Sequence, residues 1–181
     1  CGKIVVDYEI LPAIVNPVQA AAADAVQIRD DKAGQVGNKV FDWEIGDKSR
    51  TDKAFADADV VSKIELHYPR THPSPMETCG SLADYDRATG KLTVYLTTQA
   101  PHIVRAAVAM VAELPEQNIR IVSPDIGGGF GNKVPIYPGY VVAILASILT
   151  EKPVKWIEDK TGNLTSTGFG RDVYLKGEMA L

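Results

Sequence analysis

Pro124-Asp125-Ile126-Gly127-Gly128-Gly129-Phe130-Gly131-Asn132-Lys133 is the segment on which the reading of the fold turns. Ahead of it, Ile119-Arg120-Ile121-Val122 is rich in β-branched residues and predicts a strand. Behind it, residues 140–149 are apolar on every side, which predicts a buried helix. A strand, a glycine-rich loop and a helix in that order belong to a layered α/β or α+β domain. Glycines let a backbone approach a ligand with no Cβ in the way. Successive N–H groups near a helix start hold anions, and the phosphates of a nucleotide-like cofactor are the obvious candidates. No Gly-Lys-Ser/Thr closes the segment, and its glycine spacing is not that of the dinucleotide fingerprint. On this segment alone, a tightly packed turn accounts for the glycines equally well.

Upstream, Thr97-Thr98-Gln99-Ala100-Pro101-His102 sits where a strand gives way to a helix, a common place for ligands. Pro101 fits the first helical turn, and Ile103, Val104, Ala107, Val108 and Val111 follow at helical spacing. The amide of Gln99 donates and accepts without carrying charge, which suits orienting an oxo or carbonyl group. Taken alone, a glutamine capping the helix is the simpler reading, and His102 reads as a satisfied structural histidine. Residues 82–86 and 92–97 predict a hairpin turned by Arg87-Ala88-Thr89-Gly90. Strands are expected over 60–68, 154–157 and 172–177.

Glu77-Thr78-Cys79-Gly80 follows Pro73 and Pro75, and Cys79 is expected to be a small residue in a tight bend rather than a nucleophile. Nearer the start, Ile4-Val5-Val6-Asp7-Tyr8-Glu9 reads as a strand and residues 20–24 as a helical turn. Residues 29–47 form a polar, glycine-rich linker, with Asp42, Glu44 and Asp47 as its solvated acidic face. Thr51 or Asp52 is expected to cap a short helix.

The composition is that of an ordinary globular protein, 45% apolar and 23% charged over 181 residues. A formal charge of −4 argues against nucleic-acid binding, which needs a basic face. The longest apolar run is too short to cross a bilayer. Cys1 and Cys79 make neither a disulfide framework nor a zinc site, so a reducing compartment is expected. The chain opens on a cysteine and closes in what reads as a strand, so we expect a piece of a longer protein.

Thr98-Gln99-Ala100-Pro101, followed by residues 124–133, resembles in order and spacing the two cofactor motifs of the molybdenum hydroxylases, the xanthine dehydrogenase/aldehyde oxidase family. Tyr8-Glu9-Ile10-Leu11-Pro12-Ala13 is similar to the strand that ends the family's small N-terminal domain. Arg29-Asp30-Asp31-Lys32, Phe41-Asp42-Trp43-Glu44 and Glu77-Thr78-Cys79-Gly80 resemble the large subunit of its carbon monoxide dehydrogenase branch.

This resemblance implies an α+β fold of mixed sheets with packed helices. Residues 1–25 would end an α/β hammerhead-like domain, 26–58 would be an extended linker, and 59–181 would begin the molybdenum cofactor-binding domain. The implied cofactor is molybdenum on molybdopterin cytosine dinucleotide. Gln99 would hydrogen-bond an oxo ligand of the metal, and Gly128, Gly129, Phe130 and Gly131 would lie against the metal–pterin end. The copper-binding cysteine of the branch and the family's general-base glutamate are expected beyond Leu181, and Cys79 is not that copper ligand.

The implied partners are a medium subunit with FAD and a small subunit with [2Fe-2S] clusters, assembled as a dimer of heterotrimers in the cytoplasm or at the inner face of the cell membrane. Carbon monoxide oxidation is the implied activity. An aldehyde or N-heterocycle hydroxylase is the nearest alternative, and a non-catalytic binding or assembly module is the alternative of another class. The piece alone is expected to be inactive.

Overall fold

The computed structural model describes residues 3–29, 31 and 37–181. Cys1 and, from the expected linker, Asp30, Lys32 and Gly34 lie outside the described residues. In chain order the elements are α1 (Pro17–Ala20), α2 (Lys48–Ala56), β1 (Val61–Tyr68), β2 (Gly80–Asp86), β3 (Lys91–Leu96), α3 (Pro101–Ala112), a 3-10 turn (Glu116–Asn118), β4 (Ile119–Val122), α4 (Pro138–Thr150), β5 (Val154–Ile157), α5 (Lys160–Ser166) and β6 (Val173–Ala180). They fall into two compact units, Cys1–Pro69 with Asp172–Leu181, and Arg70–Arg171.

In the first unit, β1 and β6 form a two-stranded antiparallel ladder from Val61↔Ala180 to Tyr68↔Val173. Cross-strand pairs of opposite charge, Lys63–Glu178 at 2.8 Å and Lys176–Glu65 at 2.9 Å, line it. Helix α2 starts one turn earlier than expected. Asp47, read as part of a solvated face, accepts the Arg50 N–H and is the cap; Thr51 instead donates to the Asp47 carbonyl. The helical turn expected at 20–24 lies at α1, where Asn16 accepts from the Val18 and Gln19 N–H groups and Pro17 opens the turn. Residues 4–9 are not a strand: none of the described residues pairs with them, and a strand exists only through its ladder.

The second unit is built on a four-stranded mixed sheet of order β4-β3-β2-β5. The hairpin β2–β3 pairs Ser81↔Leu96 through Asp86↔Lys91, and its turn ends on Gly90 at φ 67°. Strand β5 adds antiparallel to β2, while β4 adds parallel to β3. The parallel pair needs a crossover, and α3 supplies it. Leu92, Val94 and Leu96 on the sheet pack with Val104 and Val108 of α3 and Tyr140 and Ile144 of α4 to make the core. Helix α4 approaches β5 closely: a Cβ on Gly139 would fall 2.2 Å from the Trp156 indole.

Only one face of α4 is buried. Tyr140, Ala143, Ile144 and Ser147, at i, i+3, i+4 and i+7, face the sheet, whereas Val142 and Leu149 are 64% and 83% exposed. The expectation of a fully buried helix fails because the sheet covers a single side. The short α5 was not legible as a helix; Asp159 starts it by accepting the Gly162 N–H at 2.6 Å.

The parallel pairing has a consequence for the site. β3 and β4 run in the same direction, so the segments leaving them emerge at the same sheet edge. Residues 97–100 and 123–133 therefore start side by side, stitched by Ser123 Oγ donating to the Thr98 carbonyl at 2.7 Å.

Candidate functional site

At that edge Gln99 is gripped by the glycine-rich loop. Its backbone N–H donates to the Lys133 carbonyl at 2.9 Å. Its Oε1 accepts two backbone N–H groups, Gly131 at 3.0 Å and Lys133 at 3.2 Å. Thr98, buried beside it, donates from Oγ1 to the Lys133 carbonyl at 3.1 Å and accepts the Ala100 N–H at 3.1 Å. The two amide donors dictate which way the Gln99 carboxamide faces, since only its oxygen satisfies them. Its Nε2 is left without a partner among the described residues. The side-chain donor of Gln99 is thus unspent. It does not cap α3: Ala100 holds that position and offers no side-chain bond.

The loop divides its own amides in the same way. Gly127 donates to Glu77 Oε2 at 2.9 Å and Gly128 to the Ile126 carbonyl at 2.9 Å. Gly131 and Lys133 go to Gln99, and Asn132 donates to the Gly129 carbonyl at 2.8 Å. The N–H groups of Gly129 and Phe130 find no acceptor among the described residues. Gly128, Phe130 and Gly131 lie at φ 93°, 52° and 88°. That left-handed run turns the chain sharply and leaves the Phe130 ring 74% exposed. Gly129 serves another purpose. Its φ is not positive, but a Cβ there would sit 2.3 Å from Gln99 Cδ and 2.5 Å from Oε1. The glycine is the space in which Gln99 lies.

Two side chains of the loop are buried. Asn132 is 1% exposed; its Oδ1 and carbonyl accept from the Tyr137 hydroxyl, and its Nδ2 is buried with no acceptor. Lys133 is fully buried and reaches Glu77 Oε2 at 2.6 Å. Partial burial alone would raise the Glu77 carboxyl. The hydrogen bond and charge of Lys133, with the Gly127 N–H, outweigh it and hold the group below its ordinary value of 4.5.

Glu77 and the Lys133 side chain were not legible as a pair, because 56 residues separate them. The signals in the sequence were an acid following two prolines and a lysine closing a glycine-rich loop.

The remaining candidates fall elsewhere. Cys79 is fully buried at the start of the hairpin, and burial pushes its thiol above its ordinary value. It belongs to a cluster centred on Glu158, which accepts from Asn163 Nδ2 at 2.8 Å, Ser166 Oγ at 3.0 Å and the Cys79 N–H at 3.4 Å. Burial likewise pushes the Tyr140 phenol upward. His72 bonds Ser74, Thr167 and the Asn163 carbonyl rather than the thiol. His102, expected to be a satisfied structural histidine, is exposed on the first turn of α3.

Among the described residues no group of three or more His, Cys, Asp or Glu could hold a metal ion, and no helix is long and apolar enough to cross a membrane. Among the described residues, Gln99 Nε2 and the N–H groups of Gly129 and Phe130 are unspent donors at this edge, and Asn132 Nδ2 is a buried donor without an acceptor.

Comparison with known proteins agrees with this chemistry. The family model of the molybdopterin cofactor-binding domain matches residues 31–181. The carbon monoxide dehydrogenase large chain of Hydrogenophaga pseudoflava is 50% identical over 97% of this chain and 23% of its own length. The nicotine 6-hydroxylase large subunit of Paenarthrobacter nicotinovorans is 32% identical over 97% of this chain and 21% of its own. The crystal structure of a Cu,Mo-CO dehydrogenase in its carbon monoxide reduced state superposes with a TM-score of 0.89 at 48% identity, covering 97% of this chain and 23% of that one. The chain therefore spans about a quarter of the length of the relatives it matches. With the matched model covering most of its length and the cradle of donors in place, the chain belongs to the molybdopterin cofactor-binding domain family.

Proposed function

We propose that this chain is part of the catalytic subunit of a molybdenum hydroxylase that oxidises carbon monoxide with water to carbon dioxide, two protons and two electrons. The observation that carries the site reading is the orientation of Gln99, whose oxygen is spent on Gly131 and Lys133 so that its Nε2 faces out. The residues present fit the cofactor. A Cβ at Gly129 would fill the space in which Gln99 lies, so the glycine lets the carboxamide rest against the loop with its donor unspent. When bound, molybdenum on its pterin dithiolene supplies the two-electron redox chemistry.

This chain's contribution is to bind and orient. Gln99 Nε2 would donate to an oxygen at the metal end of the bound cofactor, and Gly128, Gly129, Phe130 and Gly131 would form the backbone wall against the pterin. Preorganised neutral donors of this kind are worth ~2.7–4 kcal/mol at a developing charge. In this reading the cofactor is the cytosine dinucleotide form, and copper is bound elsewhere in the subunit. Electrons leave to [2Fe-2S] and FAD centres on small and medium subunits, in a dimer of heterotrimers within the cytoplasm. Residues 1–25 would end a hammerhead-like domain, 26–58 would link, and 59–181 would begin the cofactor domain. The choice of carbon monoxide is supported by the 50% identity to a carbon monoxide dehydrogenase large chain, against 32% to a nicotine hydroxylase subunit.

The test is the complete enzyme assayed with carbon monoxide and with a panel of aldehydes and N-heterocycles, with copper and molybdenum measured together. Carbon monoxide turnover with one copper per molybdenum is the expected result. Turnover of a heterocycle or aldehyde without copper would move the reading to a related hydroxylase.

A further inference from the structure

We propose that Glu77 is a positioning residue, which acts through Lys133 to hold Gln99 with its donor facing outward. The inference rests on the reading of Gln99 given above and extends it to a residue outside both cofactor segments.

Three observations carry it. First, one carboxylate oxygen joins both ends of the loop: Glu77 Oε2 accepts the Gly127 N–H at 2.9 Å and the Lys133 ammonium at 2.6 Å. Second, the contact is built for closeness. The Glu77 N–H donates to the Gly127 carbonyl at 3.1 Å, and a Cβ on Gly127 would lie 2.6 Å from Glu77 Cβ. Third, the backbone of Lys133 is what orients Gln99. Its N–H meets Gln99 Oε1, and its carbonyl takes both the Gln99 N–H and Thr98 Oγ1.

The Lys133 side chain is 0% exposed, and Glu77 is its one ionic partner among the described residues. A buried ammonium without a counter-charge is strongly unfavourable. Removing the charge of Glu77 would therefore drive the Lys133 side chain toward solvent and carry its peptide with it. The two N–H groups that fix the Gln99 oxygen would loosen, and the carboxamide would be free to turn its donor inward.

The test uses the complete enzyme and a double-mutant cycle of Glu77→Gln with Gln99→Ala. Glu77→Gln keeps an acceptor for Gly127 and removes only the charge. We expect kcat to fall about tenfold, the loss of one net hydrogen bond's worth of stabilisation, with KM and molybdenum content unchanged. Amide hydrogen exchange at Gly131 and Lys133 should accelerate. In the Gln99→Ala background the same change should alter kcat by less than about twofold, because the group it positions is gone.

Two independent losses that multiply, or wild-type kcat in Glu77→Gln, would overturn the proposal. If Gln99→Ala itself turns over normally, the reading of Gln99 falls; unchanged exchange at 131 and 133 in Glu77→Gln would then also overturn the positioning role. Should Glu77→Gln not accumulate as folded enzyme, Glu77→Asp keeps the charge but shortens its reach to the Lys133 ammonium and the Gly127 N–H. The same cycle and exchange readout then decide.

Discussion

Two polar clusters lie within residues 70–171, and they are built on opposite plans. Around Glu158, donors converge on a carboxyl: Asn163, Ser166 and the Cys79 N–H all point inward, and the one group left over is an acceptor, Asn163 Oδ1. At Gln99, the carboxamide oxygen is consumed and the Nε2 donor is left over among the described residues. The first cluster ties the start of β2 to the end of β5 and to α5. The second leaves its donor unspent, and in the proposed reading an acceptor-rich ligand takes it. A polar cluster is therefore read by what it leaves unspent, and the number of its bonds says little.

That contrast can be broken by substitutions on either side. The largest effect is expected for Gly129→Val in the complete enzyme. A branched side chain cannot share the space of the Gln99 carboxamide, so molybdenum content and turnover should be lost together. Metal analysis beside a turnover assay checks this. A variant that keeps its metal would show that the loop tolerates displacement of Gln99.

Next comes Glu158→Ala, which strands three donors in the core. Unfolding in denaturant should show a loss of about 3 kcal/mol, while turnover per molybdenum stays near wild type. A fall in turnover per molybdenum without a loss of stability would mean that the two clusters are one.

A smaller, pH-dependent effect belongs to Glu77. Its folded value is depressed, so its contribution to stability is present above the ordinary carboxylate value of 4.5 and is lost as pH falls through the lower folded value. Exchange of the Gly131 and Lys133 amides should therefore stay slow down to pH 4.5 and accelerate only below it. Acceleration that begins between pH 6 and 5 would contradict the pairing.

The smallest effect concerns Cys79. Its thiol is buried and pushed upward, so iodoacetamide should label the peptide containing Cys79 only after unfolding. Native labelling detected by peptide mass analysis would expose the cluster as open.

Local signals were legible in the sequence, and long-range ones were not. β-Branched runs, a glycine turn and a proline at a helix start located the hairpin, β4, β5 and α3, because each depends on neighbours within a few residues. The glycine-rich loop and Gln99 were legible as neighbours through their motif, and the structure brings them together. The role of Gly129 was not, because it depends on a side chain 30 residues away in sequence and 2.3 Å from a would-be Cβ. The pair of Glu77 and Lys133 failed for the same reason. Helix α4 shows a different limit: an apolar run reports that burial is favourable, but its buried face is chosen by the sheet beside it. The start of α2 was misplaced by one turn because Asp47, Thr51 and Asp52 all make good caps in isolation.

Gln99→Glu in the complete enzyme tests most directly whether Gln99 faces the cofactor as a donor, as proposed. A carboxylate keeps an oxygen for the Gly131 and Lys133 N–H groups, so the loop should hold and molybdenum content should match wild type. Its other oxygen replaces the outward donor with an acceptor. Turnover per molybdenum at neutral pH should fall by ~10²–10³-fold, the cost of removing one preorganised donor. Wild-type turnover in a fully loaded Gln99→Glu enzyme would contradict the claim.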